Sequence, residues 1–167
     1  MSAEKSGYAP IQIGLHWCIA LLVIFQLVFG ESMVTATEAA EEGEQIGGAD
    51  AFLATAHYWV GLSILALVIL RLGVRLRLGA PVLKETNQLL AFFAKAVHWA
   101  FYALLVIVPV TGLLAVYANP EIGEIHQLAK PIFIVLIAVH AAAAVFHQFV
   151  LRDGTLSRML VPTKPTP

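Results

Sequence analysis

Six histidines stand in a chain whose apolar stretches hold almost nothing else able to bind a ligand or move a proton. They are His16, His57, His98, His126, His140 and His147. A neutral imidazole binds first-row metals well and changes charge near neutral pH. Placing one in hydrocarbon is costly, so a histidine inside a membrane span is a functional hypothesis by default. The single cysteine, Cys18, excludes an intramolecular disulfide, a CxxC metal site and the CxxCH of covalent haem attachment.

Spacing narrows the chemistry. His126 and His140 are 14 residues apart. On one helix that places them within about 40° of a common face and about 21 Å apart along the axis. His57 lies at the depth of His126, and His16 at the depth of His140. A lone membrane histidine is as often a hydrogen-bonded packing residue as a ligand, but four at matched depths make that coincidence poor. Two bis-histidine haems, one above the other, follow from this arithmetic, with His16, His57, His126 and His140 as iron ligands. Zinc fits less well, because its sites usually recruit Cys or carboxylates too, and no span supplies them.

His147 follows His140 by seven residues, about 20° off its face and only about 10 Å further on. Two haems that close would collide. His147 therefore reads as an inner-surface group, serving a quinone, a proton or only the interface. His98, on the inner side of the third span, competes with His16 as a ligand. Otherwise it is a hydrogen-bond partner for a quinone, or a satisfied core residue.

The elements that must carry these residues are membrane spans. At 59% hydrophobic and 13% charged residues, with a mean hydropathy of +0.82, the chain is too apolar for a soluble domain. Its 167 residues suit one domain. Spanning takes about 20 apolar residues, and four runs qualify, at about 11–30, 51–71, 91–117 and 124–151. The expected fold is all-α, an integral membrane four-helix bundle holding two b-type haems. No cleavable signal peptide is expected, since the first run is long and already holds His16 and Trp17.

Basic residues orient the bundle. Lys5, Arg71, Arg75, Arg77, Lys84, Lys95, Arg152, Arg158 and Lys164 fall on one side, and only Lys130 lies near the other. Both termini should be cytoplasmic. Arg71, the most deeply placed of its group, is a candidate for a haem propionate or for quinone. Residues 31–50 carry Glu31, Glu38, Glu41, Glu42, Glu44 and Asp50 and no base, which reads as a solvated acidic outer loop with some helix in it. The Pro-rich tail 161–167 reads as flexible. Asn119-Pro120 suits a helix start, and Pro131 should kink the fourth helix. Gly14, Gly61 and Gly112 serve either close approach of a flat macrocycle or helix packing. Trp17, Tyr58, Trp59 and Trp99 fit an aromatic belt at the membrane surfaces.

These segments resemble the bacterial cytochrome b561 family. The matching pieces are GLHW around His16, AHYWVGLS around His57, HWAFYALLVIVPVTGL from His98, His126 with VHAAAAVFH after it, and LRDGTLSRML beyond the fourth helix. The resemblance covers nearly the whole chain. It implies a di-haem cytochrome of the bacterial inner membrane, with one ligand each on helices 1 and 2 and two on helix 4. That carries over to His16, His57, His126 and His140. It implies a quinone site near the helix 3 histidine, His98, on the cytoplasmic side. The described family activity includes superoxide:ubiquinone oxidoreductase, an enzyme that would pass electrons from superoxide through two haem b groups to ubiquinone. The alternative is a non-catalytic relay between the quinone pool and a periplasmic redox protein. The acidic outer loop repels an anion such as superoxide and suits a cationic partner. A haem-free proton-coupled transporter ranks last. Nothing points to nucleic acid.

Overall fold

The computed structural model describes residues 7–81 and 88–162, and over them the chain is all-helical. Helix α1 spans Pro10–Phe29. Proline suits the first helical position, where its missing N–H is no loss, and the Gln12 side chain accepts the Ala9 N–H at 3.1 Å. A short helix α2, Glu31–Glu42, follows at once. Helix α3, Gly48–Leu78, and helix α4, Gln88–Tyr117, are the longest elements. The last span comes in two pieces, α5 (Ile122–Gln127) and α6 (Ala129–Phe146). It ends in a π-helical turn, His147–Leu151.

Four of these stretches are long and apolar enough to cross a bilayer: Pro10–Phe29, Gly48–Leu78, Gln88–Tyr117 and Ile122–Leu151. Side chains such as Leu21, Ile69, Ile107 and Val135 stay exposed at 50% or more of their surface. In a soluble protein that would be a liability; toward lipid it is the expected outward face. Ile19, Val23, Ile64, Val68, Leu105 and Phe133 turn inward as the core.

The structure differs from the sequence expectations in three places. The stretch 31–50 is not mainly a loop: α2 occupies most of it, and only residues 44–47 link it to α3. Glu, Ala and Met are strong helix formers. The α2 C-terminus ends on Gly43 at φ 70°, a left-handed position glycine takes without strain. The second span does not stop at Arg71 but runs two turns further, so Arg75 and Arg77 are helical as well. The fourth span is broken at Leu128 rather than bent at Pro131. Proline has no N–H for the residue four back and its ring crowds that carbonyl, so the ladder fails one turn before Pro131. The basic residues Lys5, Lys84 and Lys164, and positions 163–167 of the tail, lie outside the described residues.

Neighbouring spans pack in the order α1, α3, α4, α6. Between α1 and α6 lies an apolar groove of about 390 Å³, lined by Ile24, Leu27, Val28, Ile134, Ile137 and Ala138. At the outer end, α2 is pinned to α3 by Ser32, which donates to Asp50 at 2.9 Å. It is joined to the last span by the exposed ion pair Lys130–Glu31 at 3.2 Å. At the inner end the Trp17 indole donates to the carbonyl of Met159 at 2.9 Å and holds the C-terminal turn under α1.

Candidate functional site

Two pairs of imidazoles stand at two depths of the bundle. In the outer pair, His57 of α3 and His126 of α5 have ring centres 6.0 Å apart, inclined at 75°. In the inner pair, His16 of α1 and His140 of α6 have ring centres 6.2 Å apart, inclined at 66°. An imidazole nitrogen sits about 2.0 Å from a first-row metal. Two such bonds plus the two ring half-widths amount to about 6 Å, so each pair is spaced to hold one metal centre between its rings.

The outer pair is built by local packing. His126 donates Nδ1–H to the carbonyl of Val108 at 2.9 Å, which leaves its Nε2 free as a ligand. A metal-bound histidine usually spends its second nitrogen this way. The ring lies directly on α4: a Cβ added at Gly112 would come within 3.0 Å of His126 Cε1. Gly112 is therefore needed for the imidazole itself. Gly61 faces the Gln26 side chain instead, with a Cβ contact of 3.3 Å, and Gly14 faces open space.

The inner level holds a third imidazole. His98 lies 5.3 Å from His140, nearly perpendicular at 86°. It donates Nδ1–H to the carbonyl of Ala94 at 2.6 Å. That separation is a ring-on-ring contact, too short to admit a metal between the two. Phe101 packs on the same His140 ring at 5.3 Å. The structure thus brings His16, His98 and His140 together, with only the first and last at ligand spacing.

Beneath this level a polar cluster closes the inner end. Arg71 donates to the backbone oxygen of Gln12 at 2.8 Å. The buried Gln12 amide in turn donates to the carbonyl of Gly79 at 2.9 Å. Arg75 stacks over the Tyr102 ring at 5.9 Å. Tyr8, Gln12, Arg71, Arg75 and Tyr102 line one small cavity. Arg77 points to solvent.

His147 opens the π-helical turn and donates Nδ1–H to Asp153. Asp153 also accepts the Thr155 N–H at 2.8 Å. Its partial burial alone would raise the carboxyl's pKa, but the hydrogen bonds from Thr155 and His147 outweigh that and hold it below the usual value. Turns of this kind recur at functional sites.

Sequence reasoning passed over Gln12, Gln26, Tyr102 and Asp153. For the two glutamines a signal was present: each is an amide in a span without a single charged residue, where every polar group needs a partner.

No group of three or more His, Cys, Asp or Glu side chains gathers among the described residues as a metal-ion cage. Paired imidazoles in an apolar bundle, with glycine against a ring and no third His, Cys, Asp or Glu gathered with a pair into a cage among the described residues, fit a flat iron macrocycle better than a tetrahedral ion.

A family model described as prokaryotic cytochrome b561 matches residues 7–162. A protein called cytochrome b562 from Cereibacter sphaeroides is 36% identical over 160 residues, covering 95% of this chain and 98% of that protein. A probable superoxide oxidase CybB from Yersinia pestis is 27% identical over 176 residues, covering 92% and 95%.

Proposed function

The chain belongs to the prokaryotic cytochrome b561 family, and from that premise we propose that it carries electrons across the bacterial inner membrane to ubiquinone through two b haems. The observation that supports this most directly is the spacing of the two imidazole pairs. When bound, the haems supply one-electron redox chemistry in an apolar setting. His57 and His126 hold the outer one, His16 and His140 the inner one. Val108 fixes the tautomer of His126.

At the inner end, His98 and Arg71 orient the quinone. Ubiquinone needs two electrons and two protons to become quinol. His147, hydrogen-bonded to Asp153 at the inner surface, takes protons from the cytoplasmic side. Arg71 alternatively pairs a haem propionate. Both termini are then cytoplasmic.

The donor we propose is superoxide, two of which give two molecules of oxygen and the two electrons. The relative named a probable superoxide oxidase supports this choice. A second reading, a non-catalytic relay between the quinone pool and a cationic periplasmic protein, is favoured by one observation. The basic side chain nearest the acidic outer face, Lys130, is already engaged by Glu31, so it is not paired with the other α2 acids, Glu38, Glu41 and Glu42. The test is a spectrum of the purified protein titrated in turn with superoxide and with a basic reduced cytochrome. Haem reduction by superoxide, with quinol formed, supports the oxidase. Exchange only with the cytochrome supports the relay.

A further inference from the structure

The two imidazoles of the outer pair are not equally supported. His126 donates Nδ1–H to Val108. His57 Nδ1 is covered from solvent and has no hydrogen-bond partner among the described residues. A ligand imidazole bound through one nitrogen carries a proton on the other, and that N–H becomes more acidic when the metal is oxidised, so it needs an acceptor.

Among the described residues one other buried side-chain atom is equally orphaned: Gln26 Oε1, on α1. Gln26 already touches His57, because its Nε2 donates to the His57 backbone carbonyl at 2.9 Å. That carbonyl can only accept, so the amide nitrogen must be the atom that meets it, and Oε1 is the atom left over. Glycines make room on both sides. A Cβ at Gly61 would press on Gln26 Nε2 at 3.3 Å, and one at Gly30 would lie 3.7 Å from His57 Nδ1. An unpaired donor and an unpaired acceptor, both buried, thus belong to two residues already joined by a hydrogen bond.

We infer that Gln26 is a positioning residue for the outer haem, its Oε1 accepting the Nδ1–H of His57 across at most one ordered water. This rests on the reading that His57 is an axial ligand. The hydrogen bond fixes the His57 tautomer with Nε2 toward iron. It strengthens as the N–H grows more acidic, so it favours the oxidised haem and lowers its potential.

The test is a redox titration of the two haems, with low-spin resonance spectra, in Gln26→Leu and Gln26→Glu proteins. Gln26→Leu should raise the outer midpoint by about 59 mV, a tenfold change in the oxidised-to-reduced ratio for one electron. The inner haem should not move. Gln26→Glu keeps an acceptor oxygen and should hold the outer midpoint at or below the parent's. An unmoved outer midpoint in Gln26→Leu, or an equal rise in both variants, overturns the inference. If Gln26→Leu cannot retain the outer haem, Gln26→Glu decides: retention with an unraised midpoint supports the inference, and loss or a rise overturns it. His57→Ala measured alongside separates the two levels, because only a failure of the ligand reading lets that protein keep both haems.

Discussion

His126 reaches from the last span to the carbonyl of Val108 on α4 and donates its Nδ1–H at 2.9 Å. The contact joins two helices and selects a tautomer at once. The centre of the His57 ring lies 6.0 Å from the centre of the His126 ring.

Stoichiometry follows from the two pairs. A pyridine haemochrome assay should give two haems b per chain, both extractable with acid acetone. His57→Ala and His126→Ala should each remove the same one and leave the other's spectrum intact. One haem in the parent protein contradicts the two-site arrangement.

The inner level gives a sharper test, because three imidazoles meet there. His16→Ala and His140→Ala should show matching losses of the inner haem. His98→Ala should keep both haems and slow quinone reduction, since its 5.3 Å ring contact with His140 leaves no room for iron between them. Loss of one low-spin signal in His98→Ala would instead make His98 the ligand.

Gly112→Ala should weaken the outer haem alone. The added Cβ would meet the His126 ring at 3.0 Å, and overpacking of this kind costs about 1–3 kcal/mol. The prediction is reduced outer-haem occupancy and a lower midpoint of thermal unfolding. Gly14→Ala, with open space around its site, should change neither.

Charge on α2, and on Glu44 just beyond it, bears on the donor. Changing Glu38, Glu41, Glu42 and Glu44 to Gln should speed haem reduction by superoxide at low salt, and the gain should shrink as salt rises. Steering effects span about 10- to 1,000-fold, and physiological salt screens them over about 8 Å. The same change should slow exchange with a basic cytochrome. If stopped-flow traces show neither rate moving, these acids lie off the route of electron entry.

The Asp153 carboxyl is held below the usual carboxylate value. A depressed acid stabilises the fold above its unfolded pKa, and that contribution fades as pH falls through the folded value. Asp153→Asn should therefore lower the unfolding temperature at pH 7 and lower it by less as the pH falls below the usual carboxylate value. A loss that stays the same as the pH falls would mean that the carboxylate's charge does not matter there.

Much of this architecture is legible in the residues. Continuous apolar runs without charge announce the spans, and the 14-residue step from His126 to His140 survives because a helix repeats regularly. What hydropathy cannot show is how a run is interrupted. The break at Leu128 depends on where the Pro131 ring meets the preceding turn. The helix at Glu31–Glu42 is only partly legible, because its acidic composition reads as a solvated loop with some helix in it. Gln12 and Gln26 disappear when hydropathy is averaged over a span, yet each bonds a backbone carbonyl of a neighbouring segment. Asp153 meets His147 only because the π-helical turn brings the chain back beneath the ring.

Both imidazole pairs draw one member from the last span, His126 from α5 and His140 from α6. That placement sets an order of events during biosynthesis. A ribosome that has delivered α1, α3 and α4 has provided only half of each pair, so under the proposed ligand assignment no haem can be fully ligated while the nascent chain is still being inserted. Cofactor loading must wait for the C-terminal segment. On the proposed ligand assignment, a chain truncated before residue 122 should show neither bis-histidine low-spin haem signal.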